Sequence, residues 1–223
     1  MRQISFTLLF LFSLLSYGIC NDKFVSALQH GDLLFNIQVE GSDFGDAIVK
    51  ATKGNGALSI SHVAIVIKDS LGTRVVEATG KHGVWICPID TFLNNSAHSQ
   101  LGEPLVLIGR LKDRRTVDAS VIRAQKYVGR PYDWVFSNTD EALYCSELVQ
   151  LSYLDTEGNT IFPQQPMSFH DASGTILPYW IDYYKKKGLE VPEGEPGTNP
   201  SDLSKSDKLE IVNWDDLVNI NKE

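Results

Sequence analysis

The sequence predicts an α+β domain in which a strand-rich first half is followed by a helix-rich second half. Between residues 33 and 111 the apolar residues stand in short runs bounded by turn-forming residues, and this pattern is typical of strands. From residue 117 onward they are spaced three or four apart, as on one face of a helix. With 223 residues, the chain is long enough for one such domain with its own core.

The first half predicts about five strands that form an antiparallel sheet packed on helices. The longest apolar run follows His62 and is β-branched, which favours a buried strand. A short helix is expected at 47–52, and a hairpin turn at 69–72. The expected strands are residues 33–35, 63–67, 73–78, 83–89 and 105–111.

The second half predicts three helices and a C-terminal wrap. The first helix carries Val117, Val121, Ala124 and Val128 on one face and is terminated by Gly129 and Pro131. The second is preceded by the capping residues Asn138, Thr139 and Asp140, and its apolar residues are Leu148, Val149, Leu151 and Leu154. The third is expected at 178–187, and a polar surface wrap at about 191–223.

The first twenty residues predict a secretory signal peptide. Arg2 supplies a positive charge, and the uncharged run 4–17 is too short to span a bilayer comfortably. The alternative is that Cys20 becomes the lipidated first residue of a lipoprotein, but Ile19 stands where such signals have a small residue. We therefore expect a signal peptide at 1–20 and one domain at 21–223, exported to the periplasm or secreted.

The charge and the motifs exclude several classes of partner and cofactor. A formal net charge of −8 argues against nucleic acid or anionic lipid as the main partner. No later segment is long and apolar enough for an integral membrane span. The chain contains no H-E-x-x-H, no C-x-x-C and no phosphate-binding glycine loop, so neither a metal site nor another cofactor is expected. The sequence carries no indication of oligomeric state.

Cys145 is the candidate nucleophile. It stands at or just inside the predicted start of a helix, where unpaired backbone N–H groups and the positive end of the helix dipole favour a thiolate. The same N–H groups can bind the oxyanion that forms when a thiolate attacks a carbonyl carbon. A small buried apolar residue is the competing interpretation. Cys87 lies within a strand and is expected to be a free thiol in the core, so that Cys145 also remains free.

His62 and Glu77 are the candidate partners of this thiol. His62 stands at the head of the most apolar strand, and its near-neutral pKa suits proton transfer. Glu77 is a charged residue inside an apolar strand, and one turn separates it from the strand of His62. Its carboxylate is expected to orient the imidazole. A solvent-facing strand residue is the alternative for Glu77, and a structural histidine for His62.

Two groups of motifs resemble the two halves of the NlpC-type cell-wall hydrolases, in swapped order. Residues 128–134 (VGRPYDW) and 144–149 (YCSELV) are similar to the nucleophile half, which carries G-x-P-Y before D-C-S-G-L. Residues 31–35 (GDLLF), 61–67 (SHVAIVI) and 76–78 (VEA) are similar to the histidine half. With histidine before cysteine, the chain resembles the circularly permuted papain-like amidases and peptidases of the YiiX/YaeF group.

The resemblance implies a permuted papain-like fold and a catalytic triad of Cys145, His62 and Glu77. It also implies that Tyr132, the tyrosine of the G-x-P-Y segment, and Tyr144, beside the nucleophile, contact substrate. Glu147 replaces the glycine of D-C-S-G-L, which weakens any transfer of peptidoglycan specificity from the NlpC-type enzymes.

The expected function is hydrolysis of an amide bond in a small peptide, a cell-wall fragment or an N-acyl compound. One alternative is a lipid-directed acyltransferase or thioesterase of the lecithin–retinol acyltransferase type, although those relatives carry N-C-E-H-F around the cysteine. Another is a non-catalytic binding module. Residues 162–174 are a candidate rim over the cleft.

Overall fold

A computed structural model describes residues 22–38, 43–52, 58–100, 102–137 and 139–212 of the chain. The predicted signal peptide and Cys20 lie outside the described residues, as do the last eleven residues of the predicted wrap. Within the described ranges, no helix combines the length and the apolar character that crossing a membrane requires.

An antiparallel sheet of six strands forms the centre of the domain. The strands are β1 (Leu33–Ile37), β2 (Ile60–Asp69), β3 (Gly72–Thr79), β4 (Gly83–Pro88), β5 (Val106–Leu111) and β8 (Leu209–Val212). Their order in the sheet is β4-β3-β2-β1-β5-β8, and every neighbouring pair is antiparallel. A separate two-stranded ribbon joins β6 (Gln165–Pro166) to β7 (Pro196–Gly197).

Helices cover both faces of the sheet. Val63–Ile67 is buried at every position because alternate side chains enter the cores on opposite faces. The helices are α1 (22–27), α2 (Asp43–Thr52), α3 (Ile89–Asn95), α4 (Val117–Gln125), α5 (Cys145–Ser152), α6 (Pro178–Lys186) and α7 (Pro200–Ser204). One core contains residues of α4 and α5, and the other contains residues of α1 and α3. The predicted α+β class with its antiparallel sheet is confirmed.

Three details differ from the prediction. The sheet has a sixth strand, β8, because the C-terminal segment returns to pair with β5. α4 ends at Gln125, so Val128 lies beyond the helix and is exposed. α5 begins only at Cys145, with Tyr144 in extended conformation as its N-cap, and the predicted caps therefore lie in the preceding loop. Asn138 is outside the described residues.

A buried ion pair anchors the first strand to the fifth. Asp32 is fully buried and accepts hydrogen bonds from Arg110 Nε (2.9 Å) and Nη2 (2.7 Å). Gly31 has a φ of 77°, and a Cβ at this position would lie 2.3 Å from Val117 Cγ1. The Gly31-Asp32 pair thus combines a left-handed turn, close contact with α4 and a charged anchor that holds β1 beside β5.

Candidate active site

Cys145 is the first residue of α5, as predicted. The carbonyl of Tyr144 accepts the hydrogen bond from Leu148 N that closes the first turn, at 3.1 Å. The Cys145 side chain lies at the N-terminus of this helix and interacts electrostatically with His62. Cys145 is 5% exposed and is a free thiol, as is Cys87. The thiol therefore lies at the positive end of a helix and beside an imidazole.

His62 bridges the thiol and a carboxylate. It lies near the start of β2, and its Nε2 is 2.6 Å from Glu77 Oε2 on the neighbouring strand β3. The structure therefore brings the three residues of the expected triad together, in the order Cys145, His62, Glu77. The imidazole is 21% exposed and the Glu77 side chain 5%, so the two residues interact largely shielded from water.

The surroundings favour the charged forms of both His62 and Glu77. Burial alone would lower the pKa of His62, but the hydrogen bonds to Cys145 and Glu77, and the negative charges of both, raise it to about 10. Burial would raise the pKa of Glu77, but the hydrogen bond and positive charge of His62, with donors from Trp85 and Cys87, lower it overall. An imidazolium beside a carboxylate is therefore the favoured state at neutral pH.

Two further side chains hold Glu77, and sequence reasoning missed their role. Trp85 Nε1 donates to Glu77 Oε1 at 3.1 Å, and Cys87 Sγ donates to the same oxygen at 3.6 Å. Burial, followed by the charge of Glu77 and this hydrogen bond, raises the pKa of Cys87 to about 12, so it stays a thiol. Trp85 lies directly opposite Glu77 in the β3–β4 register. The two predicted strands 73–78 and 83–89 carried that signal, since residues that face each other across neighbouring strands share a face.

Tyr132 lies beside the thiol on a loop braced by Asp133. The buried Asp133 carboxylate accepts hydrogen bonds from the N–H groups of Val135 (2.8 Å) and Ser137 (2.6 Å). Burial, with the negative charge of Cys145 as the next contribution, raises the pKa of Tyr132 well above its usual range. The phenol therefore keeps its proton. Phe136, in the same loop, has a φ of 53°, a left-handed conformation that costs a non-glycine residue free energy.

Tyr144 connects the helix start to the C-terminal segment. Its hydroxyl accepts a hydrogen bond from the backbone N–H of Thr198 at 3.1 Å, and its own N–H donates to Glu147 Oε2 at 3.4 Å. Burial is the main cause that raises the pKa of Glu147, the hydrogen bond from Tyr144 N lowers this pKa, and the negative charges of Asp133 and Asp140 raise it further. The resulting pKa is about 8. Glu147, which stands where the NlpC-type motif has glycine, is a buried neutral acid that braces the start of α5.

Two recesses meet at the reactive side chains. The Cys145 recess is lined by Cys145, Ser146, Phe136, Met167, Trp180 and Thr198, among others, and is partly open to solvent. The His62 recess is lined by His62, Glu77, Asn36, Gln38, Asn95 and Phe92, among others. Ile48, Ser61 and Tyr132 line both recesses. Together the recesses form a cleft that passes the thiol on one side and the imidazole on the other.

Two segments form one wall of the Cys145 recess, and only the first of them was predicted to lie over the cleft. Residues 165–169, within the expected rim, line it. Residues 197–200, from the expected surface wrap, line it as well. A Cβ at Gly197 would lie 2.5 Å from Met167 Sδ and 3.2 Å from the Tyr144 hydroxyl, so a larger residue there would displace the Met167 side chain. No sequence signal identified this wall, since it depends on a contact between Tyr144 and Thr198, 54 residues apart.

A solved structure has the same fold. It is the crystal structure of the metalloprotein yiiX from Escherichia coli O157:H7, with a TM-score of 0.65 and 23% identity over 83% of this chain and 96% of that one. In the described part of the present chain, no three His, Cys, Asp or Glu side chains are grouped so that they could hold a metal ion. The residues present therefore do not fit a metal centre built from such side chains.

Sequence comparisons identify the family. The uncharacterized protein YiiX of Escherichia coli (strain K12) is 27% identical over 187 residues, which make up 82% of this chain and 85% of that protein. A family model described as permuted papain-like amidase enzyme, YaeF/YiiX, C92 family, matches residues 27–213. The match covers most of the chain and agrees with the permuted papain-like fold that the motifs implied. The chain therefore belongs to the permuted papain-like amidase family.

Proposed function

We propose that this protein is a cysteine amidase or peptidase in which Cys145 attacks the carbonyl carbon of an amide. The observation that carries the proposal is the position of His62, whose Nε2 lies 2.6 Å from Glu77 Oε2 and whose imidazole also interacts with Cys145. Membership in an amidase family supports hydrolysis as the reaction.

The geometry supports a two-step mechanism. In the resting ion pair His62 already holds the proton of Cys145, and the thiolate forms a bond to the carbonyl carbon while the carbonyl π electrons move to oxygen. Backbone N–H groups at the start of α5 stabilise this oxyanion, and the protonated phenol of Tyr132 is a further donor beside the thiol. As the oxyanion collapses, the C–N bond breaks and His62 gives its proton to the leaving amine.

Water then completes the cycle. Neutral His62 removes a proton from a water molecule, whose oxygen attacks the thioester carbonyl, and the C–S bond breaks to release the carboxylic acid. Glu77 keeps the imidazole oriented and stabilises its charged form in both steps. The proposed substrates are small peptides, cell-wall peptide fragments and N-acyl compounds.

Thiol labelling tests the proposed nucleophile. With iodoacetamide at pH 6, followed by mass spectrometry of the peptides, we expect Cys145 to be alkylated and Cys87 to serve as the slow internal control. His62→Ala should abolish the selectivity, because the imidazolium no longer stabilises the thiolate. Equal, slow labelling of the two cysteines in the wild type would contradict the ion pair.

Turnover tests the reaction class. Muropeptides, dipeptide amides and acyl lipids form the panel, and Cys145→Ala is the control for contaminating activity. Release of acid and amine supports the amidase. Transfer of the acyl group to an added alcohol or amine would instead favour the acyltransferase alternative, and the absence of turnover in all three classes would favour a binding module.

We also propose export, on the basis of residues 1–20. Expression of the full chain with cell fractionation and N-terminal sequencing of the mature protein tests it. A mature N-terminus at Asn21 supports cleavage after Cys20. Retention in the membrane fraction that is lost in Cys20→Ser would support lipidation, and an uncleaved cytoplasmic chain would overturn the proposal.

A further inference from the structure

From the lining of the two recesses, we infer that the Cys145 recess binds an uncharged, apolar acyl group that carries a hydrogen-bonding group, such as an N-acylated aromatic or aliphatic aminoacyl residue. This inference rests on the proposed function, because it assigns the recess to the acyl side of the amide bond. It adds a substrate preference that the reactive side chains themselves do not define.

The chemistry of the reaction assigns the two recesses. The acyl carbon becomes bonded to Cys145 Sγ, so the rest of the acyl group extends into the recess that Cys145 lines. The leaving amine must receive its proton from His62, so it departs through the recess that His62 lines. Asn36, Gln38 and Asn95 line that second recess and suit a polar amine.

The lining of the Cys145 recess contains no Asp, Glu, Lys, Arg or His side chain among the described residues. Its apolar surface comes from side chains such as Ile48, Phe136, Met167, Phe169 and Trp180. A charged acyl group that entered this recess would lose its hydration and find no side chain of opposite charge, which carries a high desolvation cost. An aromatic or aliphatic group instead gains free energy by burying its own apolar surface there.

Three lining side chains each carry a buried polar atom that has no hydrogen-bond partner among the described residues. These atoms are Ser146 Oγ, Thr198 Oγ1 and Trp180 Nε1. Ser146 is fully buried and Trp180 is 1% exposed. An unpaired buried polar atom destabilises the free protein, and a ligand that supplies the missing partner removes that cost. The recess is therefore suited to an apolar group with a hydrogen-bonding function, such as the backbone amide of an aminoacyl residue.

The first experiment varies the charge of the acyl group with the leaving amine held constant. The probes are p-nitroanilides with phenylacetyl, hexanoyl, succinyl and 6-aminohexanoyl groups. We expect kcat/KM for the neutral probes to exceed that for the anionic and cationic probes by about tenfold or more, because a site without counter-charges discriminates against charge. Equal or faster turnover of a charged probe would overturn the inference.

Binding to Cys145→Ala separates the inference from the proposed function. Calorimetry with the same probes measures recognition without turnover. If neutral probes bind selectively to this variant while the wild type hydrolyses none of them, the amidase proposal fails and the binding preference stands. If the wild type hydrolyses all four probes alike and the variant binds them alike, the amidase proposal stands and the inference fails.

The second experiment removes one unpartnered polar atom. Thr198→Val keeps the shape and the backbone N–H that donates to Tyr144, but it lacks the hydroxyl. For the p-nitroanilide of N-acetylphenylalanine we expect KM to rise about tenfold, while the melting temperature stays equal or rises. For the analogue without the acetamido group, 3-phenylpropanoyl, we expect no change in KM.

Two controls complete this experiment. Thr156→Val changes an exposed threonine outside both recesses and should alter neither value. Ser146→Ala and Trp180→Phe repeat the measurement at the other two atoms. A lower melting temperature with unchanged KM in all three recess variants would mean that the atoms serve only the fold, and would overturn the hydrogen-bonding part of the inference.

Discussion

His62 Nε2 lies 2.6 Å from Glu77 Oε2, and the two residues stand on adjacent antiparallel strands connected by one tight turn. The contact is local in the chain, since only 15 residues separate its partners. It holds the imidazole that interacts with the thiol of Cys145. A change at Glu77 is therefore expected to act on Cys145 through His62.

Glu77→Gln is expected to keep the fold and to reduce turnover strongly. The amide still reaches His62, but it supplies no negative charge for the imidazolium. We expect kcat to fall on the order of 10² to 10⁴-fold, as when a triad carboxylate is replaced by an amide. Steady-state kinetics on the best substrate of the panel measures this, with circular dichroism to check the fold. If Glu77→Ala turned over substrate as fast as the wild type, Glu77 would have no part in the reaction.

The raised pKa of His62 predicts how stability depends on pH. Its pKa is about 10 in the folded protein and near 6.5 in the unfolded chain, so folding favours the protonated imidazole. The resulting stabilisation is complete below pH 6.5 and is lost as the pH rises through about 10. The lowered pKa of Glu77 gives the opposite dependence: its stabilisation is present above pH 4.5 and is lost as the pH falls through the folded value.

Urea denaturation between pH 4 and 10.5 measures this dependence. The free energy of unfolding of the wild type should exceed that of His62→Ala near neutral pH, and the difference should shrink toward pH 10. A parallel titration of the His62 ring by NMR should show its pKa fall in Cys145→Ala and in Glu77→Gln. A difference in stability that stays constant with pH would contradict the assigned charges.

Trp85→Phe tests whether Trp85 positions Glu77. The substitution removes the indole N–H that donates to Glu77 Oε1 and keeps an aromatic ring against His82. We expect kcat to fall several-fold with little change in KM, and the alkaline limb of the pH profile to move to lower pH. Cys87→Ser keeps a donor at the second contact and should stay near wild type, whereas Cys87→Val should not. A loss of melting temperature alone in Trp85→Phe would indicate a packing role.

Glu147→Gln is expected to stabilise the protein at alkaline pH. The folded pKa of about 8 lies above the ordinary value of 4.5, so the free energy of unfolding falls as the pH rises from 4.5 to 8. Glutamine accepts the same hydrogen bond from Tyr144 N and carries no charge. We expect a gain of ~1–3 kcal/mol at pH 9 and little difference at pH 4. Glu141→Gln, at an exposed glutamate, is the matched control, and an equal effect in both variants would contradict burial as the cause.

Local contacts explain why the reactive side chains could be predicted from the sequence. His62 and Glu77 lie on the two strands of one hairpin, and Cys145 stands directly before the apolar residues of the second predicted helix. Each of these positions depends on neighbours within about fifteen residues, which a reading of strand and helix patterns captures.

Long-range contacts explain what the sequence did not predict. β8 is a four-residue strand recognisable only through its pairing with β5, about 100 residues earlier. The backbone N–H of Thr198 donates a hydrogen bond to the hydroxyl of Tyr144, and nothing in the sequence around either residue indicates this contact. The predicted capping residues Thr139 and Asp140 do not cap α5, because polar residues can cap a turn as readily as a helix. The pairing of β8 and the contact of Tyr144 with Thr198 depend on the folded domain bringing distant segments together, and local sequence preference does not reveal them.

The segment that closes the Cys145 recess enters the structure late. His62, Glu77 and Cys145 are all present in a chain that has grown to the end of α5, whereas Thr198 follows almost fifty residues later. The nucleophile is thus synthesised before the wall that selects what reaches it. Residues 185–190, including three consecutive lysines, are exposed between the two parts. A single cut there by a trypsin-like protease would place Cys145 and His62 on one polypeptide and the recess wall around Thr198 on another. The two fragments would remain joined through the β5–β8 pairing and the hydrogen bond between Tyr144 and Thr198.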